Sequence, residues 1–339
     1  MRTLEQIRDS SCKVPLPISW YLSELGRVQG AQDLFTKQSP QRLKVLLEHA
    51  IAQSAVSSNR IEGVEIDRTR VDTVVFGHPS LRNRDEEEVA GYRDALNLVH
   101  SRGAKLPVNE ATILRLHTLS RGGIGDAGQY KTKPVDIIEN RPDGSQVIRF
   151  QSVAPQRTRE YTQKLVELWR EHLQERRISP LILLAAFNLD FLCIHPFRDG
   201  NGRVSRLLLL LTCYHIGIEV GRYISLERFE TLRVSSQGWH EGKHDPWPYI
   251  GYLLFILRQA YKEFEERVGR ISTSRGEKAE IVLAAIRKQA DLFRVSDIEA
   301  MCPGVGRDWI RVILFHLKKE NAVICSGMGK AARWRYTGE

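Results

Sequence analysis

The stretch HPFRDGNGRVSR, residues 195–206, separates two apolar segments that each have the length of a buried helix. The first, residues 180–194, is apolar nearly all round, and the second, residues 203–214, contains five consecutive leucines. A helix without a polar face packs inside a protein, because its side chains meet apolar neighbours on every side. The sequence therefore predicts a mostly helical domain in which this stretch is a loop between two central helices. Helical periodicity predicts further helices over residues 87–100, 109–120 and 158–177.

Glycines and arginines in this loop suit a polyphosphate ligand. Gly200 and Gly202 let a ligand approach the backbone amides at the positive end of the helix that follows. Arg203 and Arg206 lie three residues apart, which places them on one face of the first helical turns. We expect both guanidiniums beside the amides, because each can bind two phosphate oxygens at once.

The loop also contains a carboxylate, Asp199, and an imidazole, His195, which are suited to catalysis. Asp199 offers a hard oxygen ligand for Mg²⁺, which takes one or two carboxylates together with substrate phosphates. His195 is able to remove a proton from an attacking hydroxyl. The alternative is a structural helix start with solvated arginines, which the joint pattern of about nine constrained positions disfavours. A site for a metal alone is also disfavoured, since one histidine and one aspartate are too few ligands.

The whole stretch resembles the signature of the Fic family, HPFx[D/E]GNGRxxR, and no defining position departs from it. The resemblance implies transfer of AMP from ATP, with Mg²⁺, to a Ser, Thr or Tyr hydroxyl of a target protein or of the chain itself. It implies that His195 is the general base, that Asp199 holds Mg²⁺, and that the two arginines reach the β- and γ-phosphates. The nucleotide-binding residues that it implies are Gly200, Asn201, Gly202, Arg203, Val204, Ser205 and Arg206.

A short motif upstream extends the resemblance. The segment 58–63, SNRIEG, matches the family's inhibitory pattern [S/T]xxxE[G/N], with Ser58, Glu62 and Gly63 at its fixed positions. It lies at the end of a predicted helix that starts at residues 39–40, SP, a favourable N-cap and first-turn pair. By the resemblance, Glu62 pairs with Arg206, which is the partner of the γ-phosphate, and ATP then binds in a non-productive pose. The alternative is an ordinary pair of side chains one helical turn apart.

A β-hairpin is predicted between residues 133 and 150, where the β-prone runs PVDII and QVIRF flank the turn RPDG at 141–144. In the Fic family a hairpin at this place is a flap that pins an extended target segment by strand-like pairing. The alternative is a surface hairpin without a role. Near residues 237–242 the chain departs from the family, because it lacks a longer helix and a tyrosine pair. Phe229 is predicted to take the place of one tyrosine against the adenine ring, which leaves the base preference open.

We predict three regions: an N-terminal helical region, 1–95, with the inhibitory motif, a Fic catalytic core, 96–270, and a winged helix-turn-helix domain, 271–339. The composition RISTSRGEK after residue 269 predicts a polar linker. Helix, turn, helix and hairpin follow in the winged-helix order, with a capping box at Ser296–Glu299. Such a module binds DNA or docks proteins, and both remain open. The candidate DNA-contacting residues are Arg307, Arg311, Lys318 and Lys319.

The composition of the chain narrows its partners. A net charge of +9 favours anionic partners such as nucleotides, nucleic acid or acidic proteins. Five scattered cysteines without CxxC spacing indicate reduced thiols, which predicts a cytoplasmic protein without a disulfide framework. No apolar run has the length of a membrane span, so we expect no membrane partner. A homodimer is compatible with the sequence.

Two rival functions stay open. The same fold can transfer another nucleotide, a phosphocholine or a phosphate, or remove AMP with Glu62 positioning a water. The second arginine of the motif favours a nucleoside triphosphate over the phosphate-transferring relatives. The rival of another class is a DNA-binding regulator that acts through residues 275–339.

Overall fold

The computed structural model describes residues 2–9, 12–36, 40–77, 80–123, 125–140, 145–226, 235–271, 274–289, 291–302, 305–327 and 332–337. Within them, helices α1 to α13 comprise Arg2–Arg8, Leu16–Thr36, Pro40–Ile61, Val71–Phe76, Arg84–Arg102, Glu110–Ser120, Pro155–Glu175, Pro180–Ile194, Asn201–His215, Trp247–Ile271, Ser274–Arg287, Val295–Met301 and Arg307–Lys319. Strands β1 to β4 comprise Ile137–Asn140, Gln146–Phe150, Val323–Ser326 and Arg333–Tyr336. The mostly helical fold expected from the sequence is confirmed. Among the described residues, no helix is both long and apolar enough to span a bilayer.

The helices predicted around the motif are present, with shifts of a few residues at their ends. α9 begins at Asn201, two residues before the predicted start, because Gly200 turns the chain into the helix with a φ of 80°. α1, α2 and α10 were not predicted. α2 contains Gly26 and Gly30, which lower its intrinsic helix propensity, and its packing against α10 stabilises it instead.

One hydrophobic core extends from the N-terminus to α10, and α8 lies at its centre. Every residue of α8 after Pro180 is buried, and α8 contacts α1, α7, α9 and α10. The buried carboxylate of Asp190 in α8 accepts hydrogen bonds from the backbone N–H groups of Thr3 and Leu4, both at 3.0 Å, and from Trp239 Nε1 at 2.6 Å. Because a buried carboxylate needs such donors, Asp190 fixes the first turn of α1 against the core.

The C-terminal residues form a second hydrophobic core. α11, α12 and α13 pack around Ile310 and Leu314. β3 and β4 pair antiparallel, and a separate bridge joins Phe293 to Trp334. The helices and the hairpin thus follow the predicted order, while the assignment as a winged helix remains a prediction.

Two local predictions in this region are wrong. Most of residues 270–278 is helical rather than a polar linker, since α10 continues to Ile271 and α11 starts at Ser274. Contacts of α11 with α3 and α10 stabilise the helix there. The capping box is not formed by Ser296 and Glu299, because α12 begins at Val295 and the backbone N–H of Arg294 donates to Asp297 Oδ2 at 2.7 Å.

Candidate active site

The motif loop is a tight turn closed by its own asparagine. α8 ends at His195, whose backbone lies in the left-handed region with a φ of 51°. Asn201 is buried and binds Phe197 twice, accepting from its N–H at 2.9 Å and donating to its carbonyl oxygen at 2.8 Å. Asn201 therefore stabilises the loop, because both ends of its side-chain amide are engaged there. Its predicted part in nucleotide binding stays a prediction.

α6 supports the same loop through His117. Its ring stacks on Phe197 with 3.7 Å between the ring centroids, and its Nε2 lies 3.0 Å from the carbonyl oxygen of Asp199. Its Nδ1 accepts a hydrogen bond from the backbone N–H of Gly128 at 2.9 Å, so Nε2 carries the proton and donates to Asp199. Burial lowers the pKa of His117 to about 4, which keeps the imidazole neutral in this role.

A cavity of about 660 Å³ opens beside the first turns of α9. Its polar lining includes Glu62, Gly202, Ser205 and Arg206. Its apolar and aromatic lining comprises Ile61, Ile137, Phe150, Leu192, Leu209, Leu226, Tyr249, Tyr252, Leu253 and Ile256. Such a volume, with two arginines, Arg149 and Arg206, on a largely apolar wall, suits a ligand of nucleotide size.

The end of α3 holds Arg206 at this cavity. Arg206 Nε donates to Ser58 Oγ at 2.7 Å, and Nη2 donates to the carbonyl oxygen of Ser58 at 3.1 Å and to Glu62 Oε1 at 2.7 Å. The side chains of Arg206 and Glu62 are 15% and 24% exposed. Gly63 follows with a φ of 78°, a conformation that favours glycine after the end of a helix. Ser58 and Glu62 of the upstream motif therefore bind Arg206 directly, and Gly63 follows them in the chain.

The Glu62 carboxylate also lies over Gly202. A Cβ at position 202 would come within 2.2 Å of Glu62 Oε1 and 3.1 Å of Arg206 Nη1, so only glycine leaves room for the carboxylate. This is the first turn of α9, where unpaired backbone amides favour an anion. The carboxylate thus occupies a place that suits a phosphate oxygen.

Two of the predicted nucleotide-binding residues point away from the cavity. Arg203 is 1% exposed, and its Nη1 donates to Glu88 Oε2, to Asn59 Oδ1 at 3.2 Å and to the carbonyl oxygen of Ser120 at 3.2 Å. Val204 is fully buried in the hydrophobic core. The expectation that both arginines reach the phosphates is therefore corrected: of the two, only Arg206 lines the cavity, because the buried Glu88 of α5 holds the guanidinium of Arg203.

Asp199 lies beside a second cavity of about 490 Å³, which Arg121 and Arg198 also line. Its Oδ2 accepts from Arg121 Nη1 at 2.5 Å, and its Oδ1 accepts from the backbone N–H of Gly200 at 2.6 Å. Burial raises the pKa of Asp199, but the charges of Arg121 and Arg203 and the bond from Gly200 outweigh it, and the pKa lies below its ordinary value. The carboxylate is therefore ionised at neutral pH.

Asp199 has the carboxylate that Mg²⁺ bound together with substrate phosphates would need, although Arg121 already binds its Oδ2 and Arg84 and Arg198 line the same cavity. The side chain is 47% exposed, and each carboxylate oxygen keeps a lone pair for a further ligand. Within the described part of the chain, no group of three or more His, Cys, Asp or Glu side chains is placed to hold a metal ion. One carboxylate completed by phosphate oxygens and water is a coordination typical of Mg²⁺.

The predicted base, His195, is neutral at physiological pH. Burial and then the positive charge of Lys131 lower the pKa of its imidazole to about 4, although the carbonyl of Leu192 and the charge of Asp199 oppose the shift. A neutral imidazole can accept a proton, whereas an imidazolium cannot. The residue is partly exposed, which leaves an approach for a hydroxyl.

The predicted hairpin lies beside the nucleotide-sized cavity. β1 and β2 pair antiparallel with Ile138 opposite Ile148, and the register shifts between Ile137 and Ile138. Ile137 lines the cavity, which brings the hairpin to the site. The predicted turn, residues 141–144, lies outside the described residues.

The segment that contains His240 packs against the end of this hairpin. Phe150, the last residue of β2, stacks on His240 with 5.3 Å between the ring centroids. His240 Nε2 lies 2.6 Å from the carbonyl oxygen of Gln151. Phe229, which was predicted to contact the adenine ring, lies outside the described residues.

Several residues of the site were not predicted. Tyr249, Leu253 and Ile256 line the cavity from α10 at intervals of four and three residues, a helical spacing that the sequence does contain. By contrast, no sequence pattern links Glu88 and Arg121 to the motif, because they contact it only in the folded chain.

Comparisons with known proteins agree on this fold. Residues 107–213 match the model of the Fic/DOC family. A Fic family protein from Desulfovibrio desulfuricans has a TM-score of 0.60 at 18% identity, with 98% of this chain and 99% of that chain covered. A Fic domain containing signaling protein from Bacteroides thetaiotaomicron has a TM-score of 0.57 at 19% identity, with 75% of this chain and 97% of that chain covered. Likenesses at these identities show the fold.

The fold and the loop place the protein in the class built around a Fic domain. The chain contains a Fic/DOC domain, residues 107–213, which includes the whole motif. A curated relative, the protein adenylyltransferase fic-1 of Caenorhabditis briggsae, is 25% identical over 201 residues, which are 58% of this chain and 37% of that protein. The chain spans little more than a third of the length of such relatives.

Proposed function

We propose that this protein is a Mg²⁺-dependent protein adenylyltransferase, which transfers AMP from ATP to a Ser, Thr or Tyr hydroxyl. The observation that carries the proposal is the cavity, in which Gly202 and Arg206 lie on one continuous surface with Tyr252 and Leu253. An arginine beside free helix amides suits phosphates, and the aromatic and aliphatic lining suits a base. The activity in the name of the Caenorhabditis relative supports the same reaction.

In the proposed reaction, His195 accepts the proton of the target hydroxyl, whose oxygen attacks the α-phosphorus of ATP. A P–O bond to the target forms, and the bond to the diphosphate leaving group breaks. The neutral form of His195 that this step needs is the form its surroundings favour. Arg206 neutralises charge on the departing diphosphate. Mg²⁺, when held by Asp199, supplies further neutralisation of phosphate oxygens.

We also propose that Glu62 inhibits this transfer. The Glu62 carboxylate binds Arg206 Nη2 and fills the space over Gly202, so it competes with a γ-phosphate for the same guanidinium and the same room. Both side chains of the pair are partly exposed, so an anion from solvent can displace the Glu62 carboxylate from Arg206. Productive binding of ATP then requires that the end of α3 moves or that Glu62 is removed.

The target is proposed to meet the site along the hairpin of β1 and β2. Ile148 is largely exposed on this hairpin, as an apolar contact for an extended segment. The target hydroxyl can belong to another protein or to the chain itself. Residence in the cytoplasm and assembly as a homodimer remain predictions.

The test is incubation of the purified protein with ATP labelled at the α-phosphate and a cell lysate, with Mg²⁺ or with a chelator. Label should enter protein in the Glu62→Gly variant with Mg²⁺, and should be lost in chelator or when His195→Ala is added. Label transferred from the γ-phosphate would identify phosphate transfer, and release of AMP from modified protein would identify the reverse activity. The proposal fails if no variant takes label from the α-phosphate.

DNA binding through the C-terminal domain is the second candidate that the sequence raised. On α13, Arg311 binds Asp308 at 3.1 Å, and Val312 and Phe315 are more than half exposed. A face that mixes apolar and charged side chains is less suited to phosphates than a basic one, which favours the transferase. A salt-dependent shift of duplex DNA by the full chain would support the regulator; its absence at low salt would count against it.

A further inference from the structure

The backbone at His195 has a conformation that needs support. Its φ of 51° lies in the left-handed region, which strains any residue other than glycine. Such strain persists only where surrounding contacts fix the chain on both sides. The imidazole projects from this strained position, so whatever fixes the backbone also aims the ring.

Lys131 makes the contacts on both sides of His195. Its backbone N–H donates to the carbonyl oxygen of Pro196 at 3.0 Å, and its Nζ donates to the carbonyl oxygen of Ile194 at 3.2 Å. One residue of the segment after α6 thus binds the carbonyl before His195 and the carbonyl after it. The lysine is buried, so these bonds are shielded from water.

The same ammonium reaches the base of the hairpin. Lys131 Nζ donates to Ser152 Oγ at 2.6 Å, and Ser152 Oγ donates to the carbonyl oxygen of Val135 at 2.7 Å. Ser152 follows β2 and Val135 precedes β1, so this chain of bonds ties both strands to the end of α8. Lys131 therefore holds both the proposed base, His195, and the hairpin where a target segment is expected to bind.

We propose that Lys131 is a positioning residue of the transfer reaction. It orients the imidazole of His195 and keeps it at a fixed position relative to the hairpin. The inference rests on the proposed role of His195 as the base. Lys131 is not among the described residues that line the nucleotide-sized cavity, so its effect falls on proton transfer rather than on ATP binding.

The charge of Lys131 acts on the same ring. Burial lowers the pKa of Lys131 to about 8, with Asp136 opposing, so the ammonium is charged at neutral pH. That charge lowers the pKa of His195, whereas the charge of Asp199 raises it. Loss of the Lys131 charge should therefore raise the pKa of His195.

The first experiment needs no activity: it follows the imidazole of His195 by NMR during a pH titration of the full chain, with the signal assigned by its loss in His195→Ala. Lys131→Met should raise the pKa of His195 from about 4 towards 6.5. Lys131→Gln loses the charge but keeps a donor, and it should give the same shift if the Met variant does not fold. Lys164→Met, the same change at a half-exposed position of α7, should give none. An unchanged pKa of His195 in a folded Lys131 variant would overturn the proposal.

The second experiment measures AMP transfer in the Glu62→Gly variant. Lys131→Met should lower kcat by about 100-fold, as expected for a misplaced catalytic group, and change KM for ATP by less than about twofold. Ser152→Ala leaves the hydrogen bonds to the carbonyl groups beside His195 intact and should lower kcat far less. Equal effects of Lys131→Met and Lys164→Met on kcat would refute the positioning role of Lys131. If no variant transfers AMP, the proposed function fails, while the shift in the pKa of His195 still tests Lys131.

Discussion

Arg203 and Arg206 lie one helical turn apart in the same motif, yet their surroundings differ. Arg203 is buried and binds Glu88 of α5, which is buried as well. Arg206 is partly exposed and binds Glu62 at the edge of a cavity. An enclosed ion pair is out of reach of a competing anion, whereas a half-open pair is not. The motif thus contains one arginine that is enclosed in the core and one at the edge of a cavity, where we propose that a ligand replaces its partner Glu62.

The largest expected effect is on stability, at the buried arginine. Arg203→Ala removes the main partner of the buried Glu88 carboxylate, and we expect the free energy of unfolding to fall by about 3–5 kcal/mol. Arg84→Ala is the matched control, because Arg84 binds the same carboxylate from a largely exposed position and should cost less than about 1 kcal/mol. Urea unfolding followed by circular dichroism measures both. Equal losses of stability would mean that burial does not distinguish the two arginines.

The next effect is on ligand binding, at the half-open arginine. In the Glu62→Gly variant, Arg206→Ala should weaken ATP binding about 10- to 100-fold, because a hydrogen bond to a charged group is worth about 1.5–3 kcal/mol. Arg198→Ala changes an exposed arginine of the same motif that lines the other cavity, and it should change the Kd less than about threefold. Isothermal titration calorimetry with ATP gives both values. ATP binding that tolerates Arg206→Ala would remove this arginine from the site.

The smallest effect is a pH dependence that should be nearly flat. His195 has a pKa lowered to about 4, so its neutral, proton-accepting form prevails at every pH above that value. The rate of transfer by Glu62→Gly should thus change less than about twofold between pH 5.5 and 7.5, and fall only as the pH approaches 4. Initial rates at saturating ATP and Mg²⁺ provide the measurement. A rate that halves near pH 6.5 would show that burial does not lower the pKa of His195.

The central part of the fold was predictable because its signals are local. α8 and α9 follow from apolar composition, and the hairpin follows from two β-prone runs around a turn. The pair of Glu62 with Arg206 was also expected, since the resemblance linked two motifs that are far apart in the chain. In each case the residues that carry the signal are the residues that form the feature.

The burial of Arg203 could not be predicted from the loop, because its partner is 115 residues away in the chain. Spacing places Arg203 and Arg206 on one helical face, but it does not reveal which neighbouring helix brings a carboxylate. The same limit applies to His117, whose bond to Asp199 spans 82 residues. The predicted linker near residue 270 failed for a related reason, since contacts with α3 stabilise a polar segment as helix.

The central claim is that Glu62 competes with ATP for Arg206, and one measurement tests it most directly. Label from α-labelled ATP should enter protein about tenfold faster or more in Glu62→Gly than in the parent, because the intramolecular competitor is gone. Glu65→Gly, the same change at an exposed carboxylate three residues on, should match the parent. Adding Arg206→Ala to Glu62→Gly should abolish the gain, as expected for residues that act as one unit. Labelling by Glu62→Gly no faster than by the parent, over a range of ATP and Mg²⁺ concentrations, would contradict the claim.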